Sequence, residues 1–389
     1  MFGRICLPLA AVLATSPAIA GAASAGPRAV YTQTNQPTGN AVVWLARAAD
    51  GKLTQRRSYR TGGVGAPNYY SHFPNTDSQG SVVVNPQKTL LFAVNHGSGS
   101  VASFRIRRNG ALRRAHIVSS GGKGPSSLAI NANGILYVSN EGRPASIRGF
   151  RVTAQGRMRL IAGSTRTLAH PRSSPGQVGF DHSGRFLIVT ARFAGMSKVD
   201  QDYFEIFRVS RAGRPGALPQ MRSVPQEPYA FAFTSRNEML VANAENNGPL
   251  ASTTSSYRLG PDGGFTRVAA QPTSQTAGCW LTITDDDRFA FVSNGGAPTV
   301  IAYSMSRGGA FRNISPLIKL SGLGGDVAVT PGNEFLYVLN TDPSGILNRD
   351  PKAHADVDAF RIGRDGRTTR IGTFAMGRLP FTTSGLAAL

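Results

Sequence analysis

A unit of about 50 residues recurs along this chain, and no other feature restricts the fold so tightly. Its clearest copy opens with the apolar run Val82-Val83-Val84 and turns at Asn85-Pro86. It returns through Leu90-Leu91-Phe92-Ala93-Val94 to Asn95, then continues as Val101-Ala102-Ser103-Phe104-Arg105-Ile106. A turn at Asn109-Gly110 and a weaker run from Ala111-Leu112 complete it. Equivalent runs start at Leu128, Val178, Phe231, Leu281 and Val327, at spacings of 46, 50, 53, 50 and 46 residues. Such a period means one supersecondary unit stacked on copies of itself, and four short strands per unit is the pattern of a propeller blade. The 45 glycines and 24 prolines supply the many turns this needs. Length alone suggests two domains, but repeat architectures escape that prior.

The two ends supply a further unit. Gly385 to Leu389 reads as a first strand with nothing after it. Ala29 to Asn35, Ala41 to Ala46 and Lys52 to Arg57 read as second, third and fourth strands. Joined, they make one blade and remove the unpaired strand edges an open ring would expose. The expectation is an all-β fold: a seven-bladed β-propeller of four-stranded antiparallel blades, closed by the C-terminal strand joining the N-terminal blade. An eight-bladed ring or an open two-sheet stack is the alternative, because Gly62 to Gln79 is long; it reads as a loop, since it lacks a paired apolar strand.

Asn35, Asn95, Asn140, Asn243, Asn294 and Asn340 each close a second strand. Asn tolerates left-handed backbone and bonds nearby main chain, so a turn device is one reading. A ring of amides at one mouth of the tunnel is the other.

Residues 1–25 carry Arg4, an uncharged apolar run from Ile5 to Thr15, and small residues up to Ala25. This is the pattern of a secretory signal, and the run is shorter than the roughly 20 apolar residues a membrane span needs. Residues 26–389 are then expected to be the propeller, exported to the periplasm or beyond, with no transmembrane segment and as a monomer. Cys279 would be the sole cysteine left after cleavage, so no internal disulfide is expected. The net charge of +21 favours acidic partners. Anionic cell-surface polymers or lipid headgroups fit an exported chain better than nucleic acid, for which no recognised motif is present; an Arg-rich solubilising surface is the plainer reading.

VNHGSGSVASFRIRRNGAL, ILYVSNEG, PGQVGFDHSGRFLIVT, AGCWLTITDDDRFAFVSN and DVDAFRIGRDGRTTRIG resemble the lactonase-type seven-bladed propeller family, the 6-phosphogluconolactonase-like proteins and in particular their exported subgroup. The resemblance runs from Ala29 to Leu389. It implies a ligand site at the mouth where first strands begin and second strands end. The first-strand starts would bring Gln177, Tyr229, Trp280 and Asp326 there, and the second-strand ends Asn95, His96, Asn140, Glu141, Arg192, Asn243 and Glu245. The chain departs from phosphogluconolactonase-like members at Ser174-Pro175-Gly176-Gln177-Val178, where they carry a Pro-His-x-His-type sequence.

Opening a lactone needs a base to activate water and a cation or donor for the developing oxyanion. Glu141 and Glu245 are candidate bases, His96 a weaker one, and Arg192 or Arg143 the cation. Gln177, Asn95, Asn140, Asn243, Tyr229, Trp280 and Asp326 are candidate ligand-binding residues, for a small lactone or a carbohydrate. Trp280 could stack on a sugar or pack between blades. Cys279 has no recognisable activating partner and reads as a small buried hydrophobe. The acidic loop from Thr341 to Ala355 matches no calcium-binding spacing, and no cofactor or metal is implied. A non-catalytic propeller that binds a carbohydrate, polymer or protein is the competing reading, favoured by the missing histidines.

Overall fold

In the computed structural model, residues 26–66, 78–192, 202–217, 221–222, 226–347, 350 and 352–389 are described. The proposed signal, residues 1–25, lies outside them, as does 67–77 of the long loop. The chain forms seven antiparallel sheets. From the tunnel outward, blade 1 is Ser384–Ala388, Ala29–Gln33, Ala41–Arg47 and Leu53–Arg60. Blade 2 is Val82–Val84, Leu90–Asn95, Ser100–Ile106 and Leu112–Ser119. Blade 3 is Pro125–Ile130, Ile135–Asn140, Ser146–Val152 and Met158–Leu160, with Arg166–Thr167 prolonging its outer edge. Blade 4 is Ser174–Phe180, Phe186–Arg192, Tyr203–Val209 and Pro215–Ala217, with Met221–Arg222 prolonging its edge. Blade 5 is Pro228–Phe233, Glu238–Asn243, Thr253–Leu259 and Phe265–Pro272. Blade 6 is Gly278–Ile283, Phe289–Asn294, Thr299–Met305 and Phe311–Lys319, and blade 7 is Leu323–Val329, Phe335–Thr341, His354–Ile362 and Thr368–Pro380.

The ring closes as the sequence implies. Val30 pairs with Ala388 and Tyr31 with Ala387, and the Leu389 N–H donates to the Ala29 carbonyl at 2.8 Å. Each inner strand contacts the inner strand of the next blade all the way round. The ring therefore has seven blades, and the described ends of the long loop add no strand to it.

Burial explains the sequence of each strand. Second strands such as Leu90–Asn95 and Ile135–Asn140 are buried along their whole length, so they read as unbroken apolar runs. Both of their faces meet neighbouring blades, and each fully buried Leu, Val or Phe contributes about 1.5–3 kcal/mol. Outer strands such as Leu112–Ser119 bury one face only and are largely exposed. The turn from inner to second strand is held by a polar side chain at its first position. Asn85 Oδ1 accepts the Leu90 N–H at 2.7 Å, Asp181 Oδ1 accepts Phe186 N–H at 2.7 Å, and the Thr330 hydroxyl accepts Phe335 N–H at 3.1 Å.

Blades are latched to one another by tyrosine. Tyr31, Tyr137 and Tyr337 each donate at 2.7 Å to a carbonyl in the next blade, at Gly110, Gly213 and Gly51 respectively. Gly51 lies at φ +89°, and a Cβ there would come within 2.5 Å of the Phe335 ring, so the latch turn needs glycine at this position. Within the Thr341 to Ala355 loop the structure places a short helix, Pro343–Leu347, which the sequence reading did not contain.

Candidate functional site

Asn95, Asn140, Arg192 and Asn243 end second strands, and His96, Glu141 and Glu245 follow such ends. Tyr229 and Trp280 lie near the starts of inner strands, at the same mouth, while Gln177 and Asp326 sit at the middle of their inner strands. They divide into an inner collar, a set of asparagine hooks, and two charged groups, one between blades 2 and 3 and the other between blades 4 and 5.

Inner strands present a backbone edge to the tunnel, and those groups need partners. First-strand side chains provide them. Gln177 Oε1 accepts the Phe231 N–H at 2.7 Å, and Asp326 Oδ2 accepts the Gly385 N–H at 2.8 Å. The Ser127 hydroxyl accepts Val178 N–H at 3.1 Å. Gln79 crosses the axis: its Nε2 donates to the Leu281 carbonyl at 2.9 Å and its Oε1 accepts the Leu281 N–H at 2.8 Å. The Gln79 N–H donates to Gly176 at 3.0 Å, so this residue ties blade 2 to blades 4 and 6. Beyond it, toward the opposite mouth, lies a cavity of about 680 Å³ with Val84, Ile130, Phe180, Phe233 and Ile283 in its wall. Gln177 and Asp326 thus stitch neighbouring inner strands together.

The asparagines are fully buried. Asn95 Nδ2 donates to the Ser100 hydroxyl at 3.0 Å, Asn140 to Ser146 at 3.3 Å, and Asn243 to Ser255 at 3.0 Å. Each hook ties the end of a second strand to the third strand that follows, with its Nδ2 turned into the fold.

Between blades 4 and 5, Arg192 ends its second strand with 2 % of its surface exposed. Its Nη1 lies 3.7 Å from Oε1 of Glu227, which is equally buried, and its guanidinium sits 4.3 Å above the Tyr229 ring. Tyr229 meets Trp280 edge-on at 5.2 Å, and Trp280 packs into the core shared by blades 5 to 7. The Glu227 N–H donates to Asp202 at 2.7 Å. Glu245 accepts the Thr253 hydroxyl at 2.8 Å and the Gln226 N–H at 3.2 Å. Burial, with the nearby Asp202 charge adding to it, pushes the Glu245 carboxyl above its ordinary value. Arg192 pairs with Glu227, Asp202 accepts the Glu227 N–H, and the Asp202 charge is felt at Glu245, so the three carboxylates form a linked cluster.

Between blades 2 and 3 the arrangement is more open. His96 follows the hook Asn95, Glu141 follows the hook Asn140, and His96 Nε2 lies 2.5 Å from Glu141 Oε1. Both are part exposed, 16 % and 23 % by side chain. With Glu141 ionised, Nε2 carries the shared proton. His96 Nδ1 is enclosed and has no hydrogen-bond partner. Gly124 holds the space: at φ +61°, a Cβ there would fall 2.9 Å from His96 Nε2 and 3.2 Å from Glu141 Cγ. The Glu141 N–H donates to Gly124 at 3.0 Å and the Gly142 N–H to Lys123 at 2.8 Å, which sets two cationic residues, exposed Lys123 and Arg143, on the loops flanking the pair. Sequence reasoning missed Lys123 and Gly124; a signal was there, since the Gly-Lys-Gly run immediately precedes the blade 3 inner strand.

The structure therefore brings His96 and Glu141 together in one place and Arg192, Tyr229, Trp280 and Glu245 in another. Gln177 Oε1, Asp326 Oδ2 and the Nδ2 groups of Asn95, Asn140 and Asn243 are bonded within the scaffold between them. Oδ1 of Asn140 and of Asn243, by contrast, is buried with no hydrogen-bond partner among the described residues.

A family model described as Lactonase, 7-bladed beta-propeller matches residues 38–167. The fold is that of the lactonase-type propellers. A periplasmic gluconolactonase of Pseudomonas aeruginosa superposes with a TM-score of 0.66 at 17% identity, covering 92% of this chain and 98% of its own. A Lactobacillus plantarum protein gives 0.67 at 16%, covering 93% and 99%. A Bacteroides fragilis protein provisionally assigned as a 6-phosphogluconolactonase gives 0.64 at 14%, covering 94% and 98%. No curated protein sequence matches the chain. Among the described residues, no helix is long and apolar enough to cross a membrane.

Proposed function

We propose that this chain is an exported lactonase-like hydrolase that opens a small lactone, such as that of a sugar acid, at the mouth between blades 2 and 3. The observation that carries the reading is the 2.5 Å contact between His96 and Glu141, both part exposed and flanked by cationic loops. Glu141 is the base: its carboxylate is reachable by water and by a ligand carbonyl. His96 donates to it and fixes its direction. The base takes a proton from water as that water attacks the lactone carbonyl, and Lys123 and Arg143 stand on the loops from which a cation could meet the oxyanion that forms. Ring opening then returns the proton to the leaving alkoxide. Residues 1–25 serve as the export signal in this reading, and the periplasmic gluconolactonase of similar fold supports both parts of it.

A second reading, a propeller that binds a carbohydrate without turning it over, draws on a different observation. The Arg192 guanidinium, Gln177 Oε1 and the Nδ2 groups of Asn95, Asn140 and Asn243 are engaged inside the fold, which favours a scaffold role for these atoms over a catalytic one.

The test is direct. Residues 26–389 are purified and assayed in a pH-stat against δ- and γ-lactones of sugar acids and against acyl lactones, with thermal shift on the same ligands. Hydrolysis above the uncatalysed rate supports the first reading. A stabilising ligand without turnover supports the second.

A further inference from the structure

Charge is distributed very unevenly around the ring. Residues 26–172, which form the first three blades apart from the inner strand of blade 1, hold 20 Lys and Arg against three acids; residues 173–389 hold 21 against 18. Blades 1 to 3 therefore carry a balance of +17, and the remainder +3. The pairing differs as much as the number. In the second part, Arg236 binds Glu238 and Asp287, Arg361 binds Glu334, and Arg370 binds Asp358. In the first part, Asp50 pairs with Lys52, and Asp77 and Glu141 are the other two acids available to the 20 basic residues.

The uncompensated arginines are concentrated on outer strands. Arg56, Arg57 and Arg60 lie on blade 1, Arg113 and Arg114 on blade 2, and Arg159 on blade 3, all exposed. These edges join into one rim. Arg114 Nη1 donates to the Arg60 carbonyl at 3.3 Å, from blade 2 to blade 1, and the Met158 N–H donates to His116 Nδ1 at 3.3 Å, from blade 3 to blade 2. Burial, with the Arg157 cation as the second cause, holds the His116 imidazole below its ordinary value.

We propose that the outer rim of blades 1 to 3 is a docking surface for an acidic polysaccharide, whose carboxylates pair with this row of guanidinium groups. Three features select this partner. Seventeen of the 20 basic residues in 26–172 are arginine, whose planar fork matches a carboxylate bidentately. The rim is convex, because each blade is turned one-seventh of a circle from the last; a flexible chain can follow it, whereas a flat bilayer touches one blade at a time. The large apolar side chains exposed among the described residues are Ile117, Leu160, Leu250, Val268 and Leu317, none aromatic, so among the described residues no exposed aromatic offers the stacking platform that holds single-stranded nucleic acid. The surface lies on outer strands, whereas the His96–Glu141 pair lies on loops at the mouth, so the proposal does not depend on the chemistry of that pair.

The experiment measures binding of residues 26–389 to polygalacturonate by biolayer interferometry across a salt series. Neutral dextran, phosphatidylglycerol vesicles and a single-stranded oligonucleotide are run in parallel. Two triple variants are compared: Arg57→Ser/Arg114→Ser/Arg159→Ser on the rim, and Arg307→Ser/Arg312→Ser/Arg364→Ser, exposed on blades 6 and 7. The two remove equal charge. The expected result is a loss of roughly tenfold or more, with a shallower salt dependence, for the rim variant alone. Equal losses in both variants would mean that net charge and not the rim is responsible, and would overturn the proposal. So would tighter binding to vesicles or to the oligonucleotide than to polygalacturonate.

Discussion

Two charged pairs occupy corresponding places at one mouth of the ring, and they differ in nearly every physical respect. Arg192 and Glu227, between blades 4 and 5, are 2 % and 1 % exposed, with the Tyr229 ring under the guanidinium and Asp202 accepting the Glu227 N–H. His96 and Glu141, between blades 2 and 3, are closer together and open to solvent on one side. A buried pair must be kept intact because the removal of one partner strands a charge out of water. A part-exposed pair with one shared proton is poised for transfer and contributes little to stability. In one architecture, pairs at corresponding strand ends thus differ in solvent access, and the proposed division of roles follows that access.

That contrast can be broken most forcefully at Arg192. Arg192→Met should lower stability by about 3–5 kcal/mol, because it leaves Glu227 buried without its cation. Chemical denaturation followed by tryptophan fluorescence measures this, and a loss below about 1 kcal/mol would show the pair to be dispensable. Next comes Glu141→Gln, expected to reduce kcat/KM for lactone hydrolysis by about a hundredfold while the unfolding midpoint stays within about 1 kcal/mol of the parent. If the variant instead unfolds early, the two pairs are alike and the distinction fails. His96→Asn should reduce kcat/KM less, by roughly tenfold, because Glu141 keeps its carboxylate but loses the donor that aims it. A fall in kcat with KM nearly unchanged separates positioning from binding.

The smallest effect sharpens the comparison through pH. Burial raises the Glu245 carboxyl, so the folded state holds this proton more tightly than the unfolded chain does. Its contribution to stability is present at acid pH and is lost as pH rises through the raised value. Glu245→Gln keeps a neutral acceptor for the Gln226 N–H and removes the titration. The Tm of Glu245→Gln relative to the parent should therefore climb as pH increases from about 4 to 7, and a flat difference would remove burial as the cause.

Much of the fold was legible because its signals are local. A second strand buried on both faces must be an unbroken apolar run, so Leu90–Asn95 and Phe289–Asn294 announce themselves. The last strand needed its partner Ala29–Gln33 to make sense of a lone run at the chain's end. The site was less legible, since strand-end arithmetic places a residue at a mouth without saying which way its polar atoms turn. Gln177 and Asp326 were expected at the mouth, and their oxygens cap backbone N–H groups of the next blade. The hooks Asn95, Asn140 and Asn243 serve the strand turns that their chemistry suggested as one of two readings. Nothing local distinguishes Arg192 from Arg143; burial by Tyr229 and Glu227, both in or beside the next blade's inner strand, sets it apart. Lys123 and Gly124 became visible only when adjacent blades brought their loop against Glu141.

The central claim is that the part-exposed pair performs chemistry. Its most direct test is the initial rate of glucono-δ-lactone hydrolysis in a pH-stat, measured for the parent protein and Glu141→Gln side by side at matched folded concentration. The account predicts catalysed hydrolysis by the parent and a rate near background for the variant. Equal rates for the two, or no rate above background for either, would contradict it.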